Sequence, residues 1–189
     1  RNVEAAFRLN MQGAVRGASF ALLNTANFGR RGKVFAMHRA KALGDTKPQY
    51  PSWDEPNLWG SLAVAFDTHN PPTEDPFDKW GNVYDRPQNE VSLHYDGVEV
   101  ANAYCDTPLA TGKEVPVSLK VEYVTGGVEI TVFVGGKLVY NRHFIAHVQP
   151  FESRVAFGAR GEGGTCVLSS VKVRWSESCS FSPPAKTLK

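Results

Sequence analysis

Hydrophobic and polar residues alternate along several short stretches of the chain, with the two-residue period of a β-strand that buries one face. The alternation is clearest at residues 91–95, 97–104 and 115–124. Two short apolar runs, at residues 17–24 and 62–66, predict core strands. Residues 3–10 fit either a helix or a strand. Further strands are predicted at residues 33–38, 128–134, 137–141, 154–159, 166–168 and 171–175.

Glycine and proline separate these segments. Gly126-Gly127 and Gly135-Gly136 are typical of hairpin turns, so residues 115–141 are predicted to form an antiparallel meander. Asn27-Phe28-Gly29 indicates another turn, and the prolines of residues 44–58 predict a loop. Many short strands without a convincing amphipathic helix predict an all-β sandwich or barrel.

The length of 189 residues and the hydrophobic content of 42% suit a single domain with a full core. We assign residues 1–176 to this domain and residues 177–189, which are poor in apolar side chains, to a flexible C-terminal tail or linker. The formal net charge is +2 and the basic residues are spread along the chain, which argues against a nucleic-acid partner. Without an apolar run of about 18 residues we expect no insertion into a membrane.

Three cysteines are present, and none lies in a Cys-x-x-Cys pair that would indicate a zinc site. An odd number allows one disulfide and one free thiol. We favour a bridge between Cys166 and Cys179, with Cys105 free, because that bridge would tie the tail to the last strands. This cysteine usage favours an extracellular or cell-surface location without excluding a reducing compartment.

Residues 59–97 form the stretch around which the function is expected. A predicted core strand ends at Asp67, and a polar and aromatic loop follows from Thr68 to about Glu90. Loops of this length in compact domains often carry function.

Several segments together resemble L-type lectins and their concanavalin A-like relatives. They are Gly17–Leu23, Ser61–Thr68 with Asn70 and Asp75-Pro76, Asn89–Gly97, and the pair Arg154–Ala159 and Val171–Trp175. The resemblance implies a concanavalin A-like jelly-roll sandwich of two antiparallel sheets.

The chain departs from the pattern of this family at three places. Ala65 stands where the legume-type site has a metal-binding glutamate, and Asn89 stands nearest to the position of a histidine ligand. Arg16 falls near the position of the sugar-binding aspartate. The comparison therefore implies that a transition-metal site is lost and that the monosaccharide site of the family does not carry over as it stands.

A calcium site remains compatible with the central loop. Ca²⁺ takes six to eight oxygen ligands, and four residues of the loop offer oxygens at a spacing near that of the family. They are Asp67, Asn70, Asp75 and Asp78. The alternative is that these residues only form turns, since Asp and Asn bond to their own backbone.

Aromatic side chains lie among the same polar residues and could stack on sugar rings, while Asp and Asn bond the hydroxyls. The candidate ligand-binding residues are Trp53, Phe77, Trp80, Asn82, Tyr84 and Asp85. The alternative is that the rings pin the loop to the sandwich.

We find no Glu-x-Asp-x-Glu motif of the kind that glycoside hydrolases use on this fold, and Glu122 and Glu129 are predicted to point outward. A Ser-His-Asp arrangement remains open, because histidines are available. We expect a carbohydrate-binding, lectin-like module of a larger extracellular or surface protein, without enzymatic activity, whose partners are a glycan or polysaccharide and other domains of the same protein. The alternatives are a protein-interaction or structural module of the same fold and, third, a polysaccharide-active enzyme.

Overall fold

A computed structural model describes residues 2–32, 58, 60–68, 89–161 and 163–176 of the chain. These residues form ten strands and one helix of a single turn. Their bounds are β1 Asn2–Gln12, β2 Val15–Asn24, α1 Thr25–Phe28, β3 Ser61–Asp67, β4 Glu90–Tyr95, β5 Val98–Tyr104, β6 Val115–Val124, β7 Gly127–Val134, β8 Lys137–Ala146, β9 Ser153–Gly161 and β10 Thr165–Ser176. Within these ranges no helix reaches the length and apolar character of a membrane span.

The strands form two antiparallel sheets of five strands each. Sheet A has the order β10-β1-β6-β7-β8, and sheet B has the order β5-β4-β3-β2-β9. Strands that follow one another in sequence therefore cross between the sheets several times, as at the tight connection from β1 to β2. The prediction of an all-β sandwich of two antiparallel sheets, as the concanavalin A-like resemblance implied, is confirmed.

The inner faces of the two sheets meet in one hydrophobic core, and four phenylalanine rings lie at its centre. Phe7 of β1 contacts Phe20, Phe66 and Phe157, at ring-centroid distances of 6.3, 6.1 and 5.3 Å. Because Phe7 belongs to sheet A and the other three belong to sheet B, these contacts join the sheets directly. Aromatic pairs of this geometry add to the gain from apolar burial.

Alternation in sequence corresponds to alternation in burial. In β1 every second residue from Val3 to Met11 is buried, which settles residues 3–10 as a strand. The same pattern holds in β6. The apolar runs of β2 and β3 differ, because nearly all of their residues are buried. Sheet B is therefore covered on its outer face as well as on its inner face in this region.

Two turns and one strand differ in detail from the predictions. Val124 pairs with Gly127, so the hairpin loop is Thr125-Gly126 and Gly127 already belongs to β7. A side chain at Gly127 would run into the carbonyl oxygen of Ile145, which explains glycine at this position.

The predicted segments 166–168 and 171–175 form one strand, β10, with a bulge where Ser170 has a φ of 53°. The turn predicted at Asn27-Phe28-Gly29 is the end of α1, which Asn24 caps through its side chain.

Several predictions lie outside the described residues: the strand at 33–38, nearly all of the loop at 44–58, and the tail at 177–189. Cys105 and Cys166 carry free thiols. Cys179, the second member of the disulfide that we favoured, is also outside the described residues. Burial raises the pKa of both described thiols, which favours their protonated form.

Two buried tyrosines offer a matched test of this core. The Tyr140 hydroxyl donates a hydrogen bond to the Val91 carbonyl at 2.9 Å and so joins β8 to sheet B. The buried Tyr123 hydroxyl finds no acceptor among the described residues. We expect Tyr140→Phe to lower the free energy of unfolding by about 2 kcal/mol, and Tyr123→Phe to leave it unchanged or raise it. Urea denaturation measures both, and equal losses in the two variants would contradict this account.

Tyr123 also predicts how stability changes at alkaline pH. Burial raises the pKa of Tyr123 from 10.0 to about 12. A group with a raised pKa in the folded state contributes stability that is complete below its ordinary pKa and is lost as pH rises through the folded value. We expect the wild-type protein to lose stability between about pH 10 and pH 12, and Tyr123→Phe to lose less of it. Melting temperatures across this window test the prediction, and parallel profiles for both proteins would refute it.

Candidate functional site

A row of polar side chains lies at the end of sheet B where β3 ends and β4 begins. Asp67 pairs with Glu90, and Glu90 pairs with Tyr104, in adjacent strands. Directly paired residues project to the same face of a sheet. This is the outer face, because the neighbouring Phe66 and Val91 point into the core. The two carboxylates are half-buried and Tyr104 is 65% exposed, so the row presents acid groups and an aromatic ring to one surface.

Asn102 belongs to the same surface, two residues before Tyr104 on β5. Its side-chain amide donates a hydrogen bond to one carboxylate oxygen of Glu90 at 2.8 Å. The second oxygen of Glu90 and the amide oxygen of Asn102 keep acceptor capacity for a ligand. We call Asp67, Glu90, Asn102 and Tyr104 the sheet B row.

Thr68, which follows Asp67, is hydrogen-bonded to the start of β2 beside this row. Its backbone N–H donates to the Arg16 carbonyl at 2.9 Å, and its hydroxyl lies 2.7 Å from the Val15 carbonyl and 2.9 Å from the Arg16 carbonyl. Arg16 therefore lies next to the end of β3. The residue that the sequence placed near the sugar-binding position of the family is thus beside the row, with its backbone held by Thr68.

The two other departures from the lectin pattern have structural explanations. Ala65 is fully buried on the outer face, in register between Ser19 and Ser92, so a methyl group fills the place of a metal-binding carboxylate. The side-chain oxygen of Asn89 accepts a hydrogen bond from the Leu109 N–H at 3.0 Å, and its carbonyl accepts one from the Cys105 N–H at 2.7 Å. Asn89 therefore holds the connection after β5.

A buried polar pair lies further along the outer face of sheet B. Ser92 Oγ is 2.7 Å from His94 Nε2, and both side chains are almost completely buried. A hydroxyl beside an imidazole is the arrangement that activates a nucleophile. Because the pair is shut off from solvent, no substrate atom reaches the hydroxyl in this structure.

Glu122 and Glu129 point outward from sheet A, as predicted. Glu122 forms an ion pair with Lys120 at 2.8 Å, and Glu129 forms one with Arg142 at 2.7 Å. Each carboxylate thus has its own cationic partner. The two residues pair directly across β6 and β7, and both are engaged in these ion pairs.

Of the predicted site residues, the structure describes Asp67. The remaining ones lie outside the described residues: Trp53, Asn70, Asp75, Phe77, Asp78, Trp80, Asn82, Tyr84 and Asp85. In the part of the chain that is described, no group of three or more His, Cys, Asp or Glu side chains could hold a metal ion.

The two segments expected to shape the site join β3 at opposite ends. The segment 69–88 follows Thr68, just after the end of the strand, whereas the segment 44–58 leads to its start at Ser61. Seven residues of extended strand separate these ends by about 20 Å. Their points of attachment do not share one end of the sandwich.

Sequence reasoning missed Glu90, Asn102 and Tyr104 as functional candidates. Asn102 and Tyr104 belong to a strand predicted from alternation, which gives them the outward positions of an ordinary solvated face. Glu90 falls at the end of the predicted loop, just before the next alternating strand. What distinguishes them is their register opposite Asp67, and register between strands is a tertiary property.

No protein-family model matches the chain, and comparison with curated proteins finds none that matches. Among solved structures, the chain is similar to a legume lectin-like domain from Entamoeba histolytica, with a TM-score of 0.47 and 12% sequence identity. The match covers 93% of this chain and 73% of that chain. The architecture of this chain is given directly by its two five-stranded sheets.

Proposed function

We propose that the chain is a carbohydrate-binding, lectin-like module of a larger extracellular or surface protein, and that it binds a glycan or polysaccharide. The observation that carries this proposal is the sheet B row, in which two carboxylates, an amide and an exposed tyrosine share one surface. Sugars are recognised by such a combination, because hydroxyl groups need polar partners in fixed positions and ring faces need a flat apolar surface.

The proposed site extends into the segment that leaves the sheet at Thr68. There we assign ligand contacts to the residues that the sequence singled out: Trp80, Tyr84, Phe77, Asp85 and Asn82, together with Trp53 from the segment before β3. Asp67 and Glu90 lie at the two ends of the segment 69–88, so a ligand held close to either end of the segment would also meet the row.

We further propose that Asp67, with Asn70, Asp75 and Asp78, holds Ca²⁺. Support comes from the direct pairing of Asp67 with Glu90, which brings carboxylate oxygens of two neighbouring strands to one face of the sheet. Oxygen donors of this type suit a hard cation. We expect no transition metal, since Ala65 and Asn89 offer no ligand in place of the glutamate and histidine.

Glycan binding is tested by substitutions on β5. We expect Tyr104→Ala and Asn102→Ala each to weaken binding to an array-identified glycan about tenfold, since each removes one direct contact. Val98→Ala is the matched control, because Val98 is 57% exposed on the same strand but outside the row. Isothermal titration gives the affinities, and the exposed positions should leave the melting temperature unchanged.

The same array decides between this proposal and its alternative. Trp80→Ala should weaken binding without unfolding the protein. If the folded protein repeatedly bound no glycan on a broad array, the result would contradict the proposal and favour a protein-interaction module. Binding that survives Tyr104→Ala, Asn102→Ala and Trp80→Ala unchanged would place the sugar elsewhere.

Calcium binding predicts a thermal shift by mass action. We expect millimolar calcium to raise the melting temperature above its value in EDTA, and Asp67→Asn to abolish the rise. Asp106→Asn is the control, because Asp106 is an exposed carboxylate that follows β5 and pairs with Lys137 of β8 and does not belong to the row. Identical melting temperatures of the wild-type protein in EDTA and in calcium would refute the proposed site. A calcium-induced rise that persists in Asp67→Asn would show that calcium binds elsewhere on the protein.

A further inference from the structure

The outer face of sheet A carries a shallow bowl on the opposite side of the sandwich from the sheet B row. Its volume is about 370 Å³, within the range of small-molecule sites. Its lining residues are Glu4, Ala5, Ala6, Ser118, Leu119, Lys120, Thr131, Phe133, Lys172 and Arg174. They come from the four adjacent strands β10, β1, β6 and β7.

The register of the sheet explains the shape of the bowl. Lys172, Ala6, Ser118 and Phe133 follow one another in directly paired positions across these four strands. The two central residues are small and the two outer ones are large, so the floor is low and a wall stands on each side. A parallel row, with Glu4 and Lys120 at its centre, closes one end.

The two walls differ in chemistry. Phe133 is 38% exposed and presents an aromatic ring. Opposite it stand Lys172 and Arg174. Arg174 is directly paired with Glu4 across β10 and β1, but the described residues place no carboxylate within ion-pair distance of either cation. Lys120 is already paired with Glu122. With Lys120, Lys172 and Arg174 against Glu4, the lining carries three cationic groups and one carboxylate.

We propose that this bowl binds an acidic saccharide unit, a uronic acid or a sulfated sugar. The Phe133 ring receives the apolar face of the sugar, while Lys172 and Arg174 bind its carboxylate or sulfate. Arginine suits this task, since its planar guanidinium group can bond both oxygens of a carboxylate. The hydroxyl of Ser118 lies on the floor and that of Thr131 lies beside Phe133 on β7, and both can bond the sugar hydroxyls. This second site goes beyond the proposed function, because it lies on the other sheet and selects for negative charge.

The experiment uses the full chain, labelled with ¹⁵N, and a trisaccharide of galacturonic acid as the probe. We expect amide shifts at Ala6, Ser118 and Lys172, and binding about tenfold tighter than that of the neutral galactose trisaccharide. The double variant Lys172→Gln with Arg174→Gln should lose about tenfold in affinity, and its binding should depend less on salt. Phe133→Ser should lose a similar factor.

Two control variants remove similar side chains outside the bowl. Phe144→Ser removes an aromatic ring that is 49% exposed on β8 but does not line the bowl. Lys113→Gln with Lys137→Gln removes two cations elsewhere on the surface. Neither control should change the affinity.

Several results would overturn the inference. One is an affinity for the neutral trisaccharide equal to that for the acidic one. Another is an equal affinity for hexaglutamate that depends on the same variants. A third is displacement of the probe by sodium sulfate together with unchanged binding in Phe133→Ser, which would indicate a site for anions only. Shifts confined to Asp67, Glu90, Asn102 and Tyr104 would also overturn it while sustaining the proposed function. Shifts confined to the bowl would support it even if the sheet B row bound no glycan.

Discussion

The packing of Phe7 against Phe20, Phe66 and Phe157 is the contact on which the rest of the structure depends. Phe7 lies on β1, which pairs with both β10 and β6 and so organises sheet A. The other three rings lie on β2, β3 and β9 of sheet B. Replacing a buried phenylalanine by alanine costs about 3–5 kcal/mol, a large part of the stability of a domain. Because Phe66 directly precedes Asp67, the cluster also fixes the position of the sheet B row.

The inner faces are alike, but the outer faces of the two sheets are built differently. On sheet B the outer positions of β2 and β3 are small and buried, including Ser19, Ala21, Ala63 and Ala65. A covering segment can approach such a face closely, and the polar row remains accessible where the strands end. On sheet A the outer positions of β1 are exposed, except for Asn2 and Asn10, which are half-buried. The two proposed ligand sites therefore differ in position, with one at the strand ends of sheet B and the other in the middle of the outer face of sheet A.

The sequence allowed the strands to be predicted well, because burial of one face imposes a period of two that is visible locally, as in β6. It failed where geometry depends on a partner strand. Gly126-Gly127 shows the turn but not that Gly127 belongs to the strand, since that follows from pairing with Val124 and from the close approach of Ile145. The bulge at Ser170 is a response to the register with β1.

The same limit applies to the candidate sites. Asp67 stood out because it ends an apolar run, whereas Glu90 gains its meaning only from lying opposite Asp67. The bowl was invisible for the same reason. Its lining comes from residues 4–6, 118–120, 131–133 and 172–174, which no local window brings together.

The opposite charges of the two surfaces carry a consequence for ligand choice. The formal net charge of +2 suggests no strong field, yet the sheet B row concentrates carboxylates while the bowl concentrates cations. At physiological ionic strength, charge interactions fade within about 8 Å, so each surface acts on what touches it and not on the molecule as a whole. At the proposed sites, Lys172 and Arg174 of the bowl would attract a saccharide with a free carboxylate, whereas the row sets the carboxylates of Asp67 and Glu90 beside Arg16 and has no such excess of cations. A neutral saccharide gains nothing from the bowl's cations but can bond the acceptors of the row. The two proposed sites on opposite sheets would therefore sort sugars by charge, and a polysaccharide that carries both kinds of unit would suit a module that holds them at once.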